Sequence, residues 1–195
     1  MTEEARIRAH FEGTIAAQTR AREVLPGVAA HAAAKLAETF VAGGRVLACG
    51  NGGSAADSQH FAAEFTNRFE RERPPLAAIA LTTDTSALTA IGNDYHFDQV
   101  FSKQVEALAR AGDALVAIST SGGSANIVAA VEAAHAAGAW VIALTGRDGG
   151  RLAKALGPDD IELRVPAERT AHIQEVHIVL LHCLCDLVDR RLYPE

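Results

Sequence analysis

Two pairs of polar side chains have the types and the spacing to share one bound ligand. His60 and Glu64 are four residues apart, which places them on one face of a helix, about one turn apart. Gln174 and His182 are eight residues apart, with about 80° of rotation and about 12 Å of rise between them. Imidazole and carboxylate ligands suit zinc, although an amide is an unusual fourth ligand. One divalent cation could take all four side chains, whereas spacing alone is also typical of solvated surface pairs.

A glycine-rich stretch, GNGGSAAD at residues 50–57, follows the apolar run RVLAC. Loops after strands line the ligand sites of open α/β sheets, and glycines let a backbone turn sharply and approach a ligand. Ser54 and Asp57 resemble the capping pair at the start of a helix, so a plain strand-to-helix turn is the alternative. The stretch also matches the dinucleotide pattern G-x-G-x-x-G/A. That interpretation is weakened because the acidic residue that holds a ribose should end the second strand, about 20 positions on. That region holds FERERPP here, before the second strand begins.

A second loop, STSGGSAN at residues 119–126, has four hydroxyl side chains and two glycines between an apolar run and a helical segment. Backbone amides at the start of a helix, together with the helix dipole and short hydroxyl donors, bind phosphate without a lysine. A hydroxyl-rich helix cap is the alternative. The chain has no G-x-x-x-x-G-K-[ST] motif, which excludes a P-loop nucleotidase.

Other polar residues give weaker signals. Asn93 and Asp94 belong to IGNDYHFD, which follows an apolar helical segment, and they could hydrogen-bond sugar hydroxyls. By itself this stretch is typical of a turn. His172 and His177 are predicted to occupy ordinary surface or interface positions.

The composition is that of one globular domain in a reducing compartment. The 195 residues are 49% hydrophobic and 22% charged, which is enough to bury a sizeable core. The 18 basic and 24 acidic residues give a net charge of −6, so binding to nucleic acid would need a local basic patch. Three cysteines form neither a CxxC pair nor an even disulfide framework. Because no apolar run approaches the roughly 20 residues of a membrane span, we predict a soluble cytoplasmic protein without a membrane partner.

Apolar periodicity predicts the elements that position these residues. Two leading helices are expected at about 7–24 and 28–41, and residues 170–193, which contain no Gly or Pro, predict one long final helix. Five strands are expected at RVLAC, LAAIAL, DALVAIS, AWVIALT and DIELRV, with helices between several of them at about 54–68, 86–92, 98–110 and 124–137. This alternation predicts a doubly wound α/β fold whose parallel sheet is covered on both faces.

Five motifs occur in order along nearly the whole chain: GNGGSAAD, HFAAE, LTTDTSALTAIGNDY, STSGGSAN and IQEVHIVLLH. Together they resemble the sugar isomerase (SIS) domain family, in particular its sedoheptulose 7-phosphate isomerases. The resemblance implies a flavodoxin-like SIS domain over residues 1–195, with a five-stranded parallel sheet flanked by helices. Residues 1–42 would form an N-terminal helical segment, and residues 43–195 an α/β core ending in a long C-terminal helix. A homotetramer with active sites between subunits is also implied.

The same resemblance implies isomerisation of D-sedoheptulose 7-phosphate to D-glycero-D-manno-heptose 7-phosphate by enediol-type proton transfer. This is the first step toward the ADP-heptose precursor of the lipopolysaccharide core. The resemblance assigns catalysis to Glu64 and His182, and one zinc ion per site to His60, Glu64, Gln174 and His182. The implied substrate contacts are Asn51, Gly52, Gly53, Glu64, Asn93, Asp94, Ser119, Thr120, Ser121, Ser124 and Gln174.

A noncatalytic regulator with the same fold is the alternative function. NRFERERP, ALTGRDGG and CLCDLVD resemble the DnaA initiator-associating protein, a tetramer that binds a replication initiator. That regulator lacks the catalytic carboxylate and the last histidine, whereas this chain has Glu64 and His182, so the enzyme is favoured. Two further alternatives stay open at this point: a dual role with DnaA as an added partner, and a sugar-phosphate sensor that needs only the serine loop.

Overall fold

The computed structural model describes residues 1–194, in which helices and strands alternate after two leading helices. The helices are α1 (Glu3–Val24), α2 (Pro26–Val41), α3 (Gly53–Thr66), α4 (Thr85–Asp94), α5 (Ser102–Leu108), α6 (Ala125–Ala136), α7 (Gly150–Ala155) and α8 (Thr170–Leu192). The strands are β1 (Val46–Gly50), β2 (Ala78–Ala80), β3 (Ala114–Ile118), β4 (Trp140–Gly146) and β5 (Ile161–Val165). The two leading helices, the five strands and the long final helix expected from the sequence are all confirmed.

Local sequence explains how the two leading helices are bounded. The Thr2 hydroxyl accepts a hydrogen bond from the Ala5 amide at 3.2 Å and caps α1, whose first turn is acidic. Pro26 stands at the first position of α2, where its missing N–H is not needed by a helical hydrogen bond. The chain therefore breaks at Leu25 and starts a second helix at once.

All five strands pair in parallel, in the order β2-β1-β3-β4-β5. This order is the flavodoxin-like doubly wound arrangement, which confirms the predicted fold class. Every residue of β1, β3 and β4 is buried, as expected for continuous apolar strands covered on both faces. The strand order reverses between β1 and β3, so a crevice opens beyond the carboxyl ends of these two strands.

Alternate side chains of the strands pack into two apolar layers. On one face Val46, Val116 and Leu144 join residues of α1, α2, α3 and α8. On the other face Leu47 and Leu115 join residues of α5, α6 and α7. The helices that carry the predicted ligands His60 and His182 thus lie on the same side of the sheet.

The final helix, α8, packs against α2 and α3. It is the one helix of residues 1–194 whose length and hydropathy would suit a membrane span, although no such span is expected from the sequence. Within its most apolar window, 44% of the residues are buried inside the molecule, and core helices of soluble proteins pass the same test. Packing within the chain thus covers slightly less than half of this window.

Two features differ from the sequence-based expectations. The six residues of α7 were not predicted, because a helix of this length does not show an apolar period. The surface or interface position predicted for His177 is wrong, since its side chain is completely buried between α8 and β4. Its Nε2–H donates to the Thr145 carbonyl at 2.9 Å, and burial lowers the pKa of His177 to about 4.

Candidate active site

The two predicted loops meet at the crevice between β1 and β3. Asn51 directly follows β1, and Asn126 lies in the first turn of α6, after the serine loop at residues 119–124. The Asn51 amide donates to the side-chain oxygen of Asn126 at 2.9 Å, and the Asn126 amide donates back at 2.8 Å. Because Asn126 is buried, this reciprocal pair holds the two loops in one fixed relation.

Two positions of the turn after β1 require glycine. Gly52 has a φ of +56°, a conformation that residues with a side chain rarely adopt. A Cβ on Gly53 would overlap the side-chain amide of Gln174, so this glycine makes room for a residue of α8. The turn therefore lets α3 and α8 approach each other at the mouth of the crevice.

The capping pair predicted at the start of α3 is wrong. Gly52 occupies the N-cap position, no side chain caps the helix, and Ser54 is buried within the first turn. The Asp57 carboxylate instead accepts a hydrogen bond from Gln174 Nε2 at 3.4 Å, which joins α3 to α8. Burial raises the pKa of Asp57, while the hydrogen bond from Gln174 and the charge of His60 act in the opposite direction.

The serine loop does not use its hydroxyls as a simple helix cap. Ser124 is the N-cap residue of α6, but its hydroxyl hydrogen-bonds the Ser119 hydroxyl at 3.1 Å rather than the helix. Gly122 has a φ of +62°, and its amide donates to the Ser119 carbonyl at 3.0 Å. The Ser121 hydroxyl accepts a hydrogen bond from the Gly123 amide at 3.2 Å. The loop therefore places several hydroxyls at the start of α6, where the Ser124 side chain does not cap the first helix amides. Thr120 is half-buried in this loop.

His60, Glu64 and His182 come together on the facing sides of α3 and α8. His60 Nε2 and Glu64 Oε1 are 2.9 Å apart, and the His60 and His182 rings meet edge to face with centroids 5.1 Å apart. Phe69 also packs against His182, with ring centroids 5.5 Å apart and the ring planes tilted by 31°. The Glu64 side chain is 20% exposed and the His60 side chain 45% exposed, so the pair lies at the edge of the α3–α8 interface and is partly open to solvent.

The four predicted metal ligands lie along this interface without forming a ready metal centre. Gln174 contacts Gly53 and Asp57 near the first turn of α3, whereas His182 contacts His60 further along. Among residues 1–194, no group of three or more His, Cys, Asp or Glu side chains is arranged to hold a metal ion. In a single chain, Gln174 therefore serves as a hydrogen-bond partner of Asp57.

The hydrogen bonds described for Asn93 and Asp94 do not connect these two residues to the rest of the predicted site. They form the last two positions of α4, not a turn after it, and both are exposed. The Asn93 amide donates to the Asp94 carboxylate at 2.9 Å.

Three side chains contact the site although the sequence patterns assigned them no functional role. Asn126 joins the two loops, and Phe69 packs against His182. Arg151 Nη2 donates to the Gly123 carbonyl at 2.5 Å, which places a cation at the edge of the serine loop. Only Asn126 carried a signal, because it lies within the STSGGSAN motif. Phe69 and Arg151 reach the site through tertiary packing alone.

The arrangement combines two chemical capacities. Hydroxyls and helix amides at the crevice suit an anionic group such as phosphate. A carboxylate beside two imidazoles, on the α3–α8 interface, suits proton transfer near neutral pH. Together these capacities match an enzyme that moves protons on a phosphorylated substrate.

Comparison with known proteins agrees with this combination of features. The SIS domain family model matches residues 10–146. The phosphoheptose isomerase of Chromohalobacter salexigens is 57% identical over 190 residues, which are 97% of this chain and 96% of that protein. The solved phosphoheptose isomerase of Neisseria gonorrhoeae has a TM-score of 0.92 at 57% identity and covers 96% of this chain and 99% of its own. That of Francisella tularensis has a TM-score of 0.95 at 49% identity, with 97% and 100% covered. The chain therefore belongs to the SIS domain family and, within it, to the phosphoheptose isomerases.

Proposed function

We propose that this protein isomerises D-sedoheptulose 7-phosphate to D-glycero-D-manno-heptose 7-phosphate, at the start of the route to the heptose of lipopolysaccharide. The observation that carries the proposal is the contact of Glu64 with His60 at 2.9 Å, beside the ring of His182. A carboxylate and an imidazole suffice for the proton transfers of an aldose–ketose interconversion. Family membership supplies the substrate class.

The reaction moves a proton between C1 and C2 of the sugar while their oxygens exchange the carbonyl and hydroxyl roles. Glu64 acts as the base that removes the proton from carbon and returns it to the neighbouring carbon of the enediol. His182 moves the proton between the two oxygens, since an imidazole both gives and accepts protons near neutral pH. The Phe69 ring packed against His182 limits the orientations of the imidazole.

The phosphate of the substrate is assigned to the serine loop. Ser119, Ser121 and Ser124 present hydroxyls at the start of α6, where the helix dipole favours an anion. The side chain of Arg151, at the loop edge, adds a positive charge. Asn51, Gly52 and Gly53 line the same crevice from the other strand, so they are assigned to the sugar chain.

The active site is proposed to form between subunits of a homotetramer. Asn93 and Asp94, which the family resemblance assigns to the substrate, are exposed, and their described hydrogen bond joins them only to each other within one chain. An exposed apolar stripe on α1, formed by Ile7, Phe11 and Ile15, supports burial of this helix against other subunits.

One divalent metal, with zinc preferred, is proposed for each site. The donor set of His60, Glu64 and His182 fits zinc because imidazole nitrogen and carboxylate oxygen are its usual ligands, with Gln174 as a weaker fourth. Glu64 would exchange its hydrogen bond with His60 for the metal. When bound, the metal would supply Lewis-acid stabilisation of negative charge on a substrate oxygen.

The regulator alternative receives no support from the comparisons, since curated relatives that are 57–59% identical over nearly the whole chain are named phosphoheptose isomerase. The presence of both Glu64 and His182 also favours the enzyme. A location in the cytoplasm stays a prediction, and a DnaA partner stays the less favoured alternative.

The direct test is an assay of the purified protein with sedoheptulose 7-phosphate and with other ketose phosphates. Formation of the heptose 7-phosphate by the wild type, and its loss in Glu64→Gln, is the expected result. An inactive wild type that instead binds DnaA would establish the regulator. Gel filtration with light scattering on the same preparation measures whether the protein is a tetramer.

A further inference from the structure

Arg73 has the most completely buried charged side chain of the α3–α8 interface. It lies in the loop between α3 and β2, and its side chain is 0% exposed. Its Nε donates to Oδ1 of Asp189 on α8 at 2.8 Å, and the Asp189 side chain is only 2% exposed. A buried ion pair of this kind is costly to desolvate and is retained only when further hydrogen bonds complete it.

Those further hydrogen bonds go to the end of α3. Arg73 Nη2 donates to the carbonyl of Glu64 at 2.8 Å, and Nη1 donates to the carbonyl of Phe65 at 2.8 Å. Longer contacts reach the carbonyls of Asn67 and Pro74 at 3.3 and 3.1 Å. The last carbonyls of a helix lack helical partners, and a cation there also interacts favourably with the helix dipole.

Asp189, the ion-pair partner of Arg73 on α8, connects the capped end of α3 to the helix that carries His182. Asp189 is seven residues after His182, which is about two turns along the same face of α8. One guanidinium therefore binds the backbone of Glu64 directly and binds the helix of His182 through Asp189. The three donor atoms of Arg73 span both helices at once.

We propose that Arg73 is a positioning residue that sets Glu64 relative to His182, by holding the Glu64 carbonyl and the Asp189 carboxylate with one guanidinium. This inference rests on the proposed isomerase function. Lysine cannot replace Arg73 in this role, because a single ammonium group lacks the planar set of guanidinium donors that reaches two helices. The serine loop lies outside this bridge, so substrate binding should not depend on it.

The test is the separate measurement of kcat and KM for sedoheptulose 7-phosphate in Arg73→Lys and Asp189→Asn. We expect kcat of Arg73→Lys to fall about tenfold or more, because small misplacements of reacting groups are costly, while KM changes less than about twofold. Asp189→Asn keeps the carbonyl bonds and should lose about threefold in kcat. All assays are run well below the lowest melting temperature measured for the set.

The matched control is Arg45→Lys. Arg45 pairs with the buried Asp113 at 3.4 Å, next to the amino end of the sheet, so this variant should lose stability but keep kcat. The inference is overturned if folded Arg73→Lys keeps kcat within about twofold of the wild type, or if Arg45→Lys loses as much. Should Arg73→Lys fail to fold, unchanged kcat in Asp189→Asn overturns it. An inactive wild type would instead refute the proposed function.

Discussion

The crevice at the carboxyl ends of β1 and β3 and the α3–α8 interface are built in different ways. The crevice consists of two loops that are each continuous in sequence, hold themselves by local hydrogen bonds and are joined by the Asn51–Asn126 pair. The interface brings Glu64 and His182 together from segments more than 100 residues apart. The first region is suited to binding an anion, and the second to moving protons, so substitutions in the two regions should affect different kinetic constants.

The largest effect is expected from removing the groups that transfer protons. Glu64→Gln and His182→Asn should each lower kcat by about 10²–10⁴-fold, since a positioned acid or base contributes about that much. The measurement is the initial rate of aldose formation at saturating substrate. His31→Gln, an exposed change outside both regions, is the control and should retain wild-type kcat. Near wild-type turnover in both site variants would remove the interface from the mechanism.

Removal of the proposed metal is expected to have the next largest effect on the interface. Chelation should lower turnover by about 100-fold, because Lewis-acid stabilisation is worth several kcal/mol, and added zinc should restore it. Elemental analysis after gel filtration should find about one zinc per chain in the wild type and less in His60→Ala. A metal-free preparation with full activity would leave the same side chains as acid and base only.

Substitutions in the serine loop should raise KM more than they lower kcat. Ser119→Ala and Ser124→Ala each remove one hydroxyl donor to a charged phosphate, and we expect a rise in KM of about tenfold for each, from about 1.5 kcal/mol per hydrogen bond to a charged group. Both variants are compared with the wild type over a full range of sedoheptulose 7-phosphate concentrations. A large fall in kcat at unchanged KM would contradict the separation of binding from chemistry.

The last prediction concerns stability rather than kinetics, at the buried His177 of α8. Its pKa in the folded protein is lowered to about 4 by burial, whereas the unfolded value is 6.5, so the folded state disfavours the proton. Stability is therefore complete above pH 6.5 and decreases as the pH falls toward 4, by about 2 kcal/mol between pH 7 and pH 5. Urea unfolding at both pH values measures it. His177→Gln should reduce this pH dependence, and the exposed His31→Gln should not.

The sequence was sufficient to predict the fold because its apolar runs alternate regularly between strand and helix lengths. The five strands and the long α8 follow from this pattern, while α7 is too short to show it. The glycine-rich loop and the serine loop were also predicted, because the residues of each loop are adjacent in the sequence. Asp57 was assigned to a helix cap because its partner Gln174 is 117 positions away.

Arg73 and Phe69 could not be predicted as site residues, because their partners also lie far away in the sequence. Arg73 belongs to the charged stretch NRFERERP, where alternating signs are typical of a solvated loop, and only the folded chain places it against Asp189. Phe69 is two residues beyond the C-cap of α3 and finds His182 through the packing of α8. Side chains that support a site from a distance are set by tertiary contacts, which spacing alone does not reveal.

The most direct test of the separation between the two regions is calorimetric titration of Glu64→Gln with sedoheptulose 7-phosphate, beside an activity assay of the same preparation. Since the serine loop and the Asn51–Asn126 pair are untouched in this variant, we predict an affinity within about tenfold of the wild-type KM and almost no turnover. Loss of binding together with turnover, or turnover close to that of the wild type, would contradict the account.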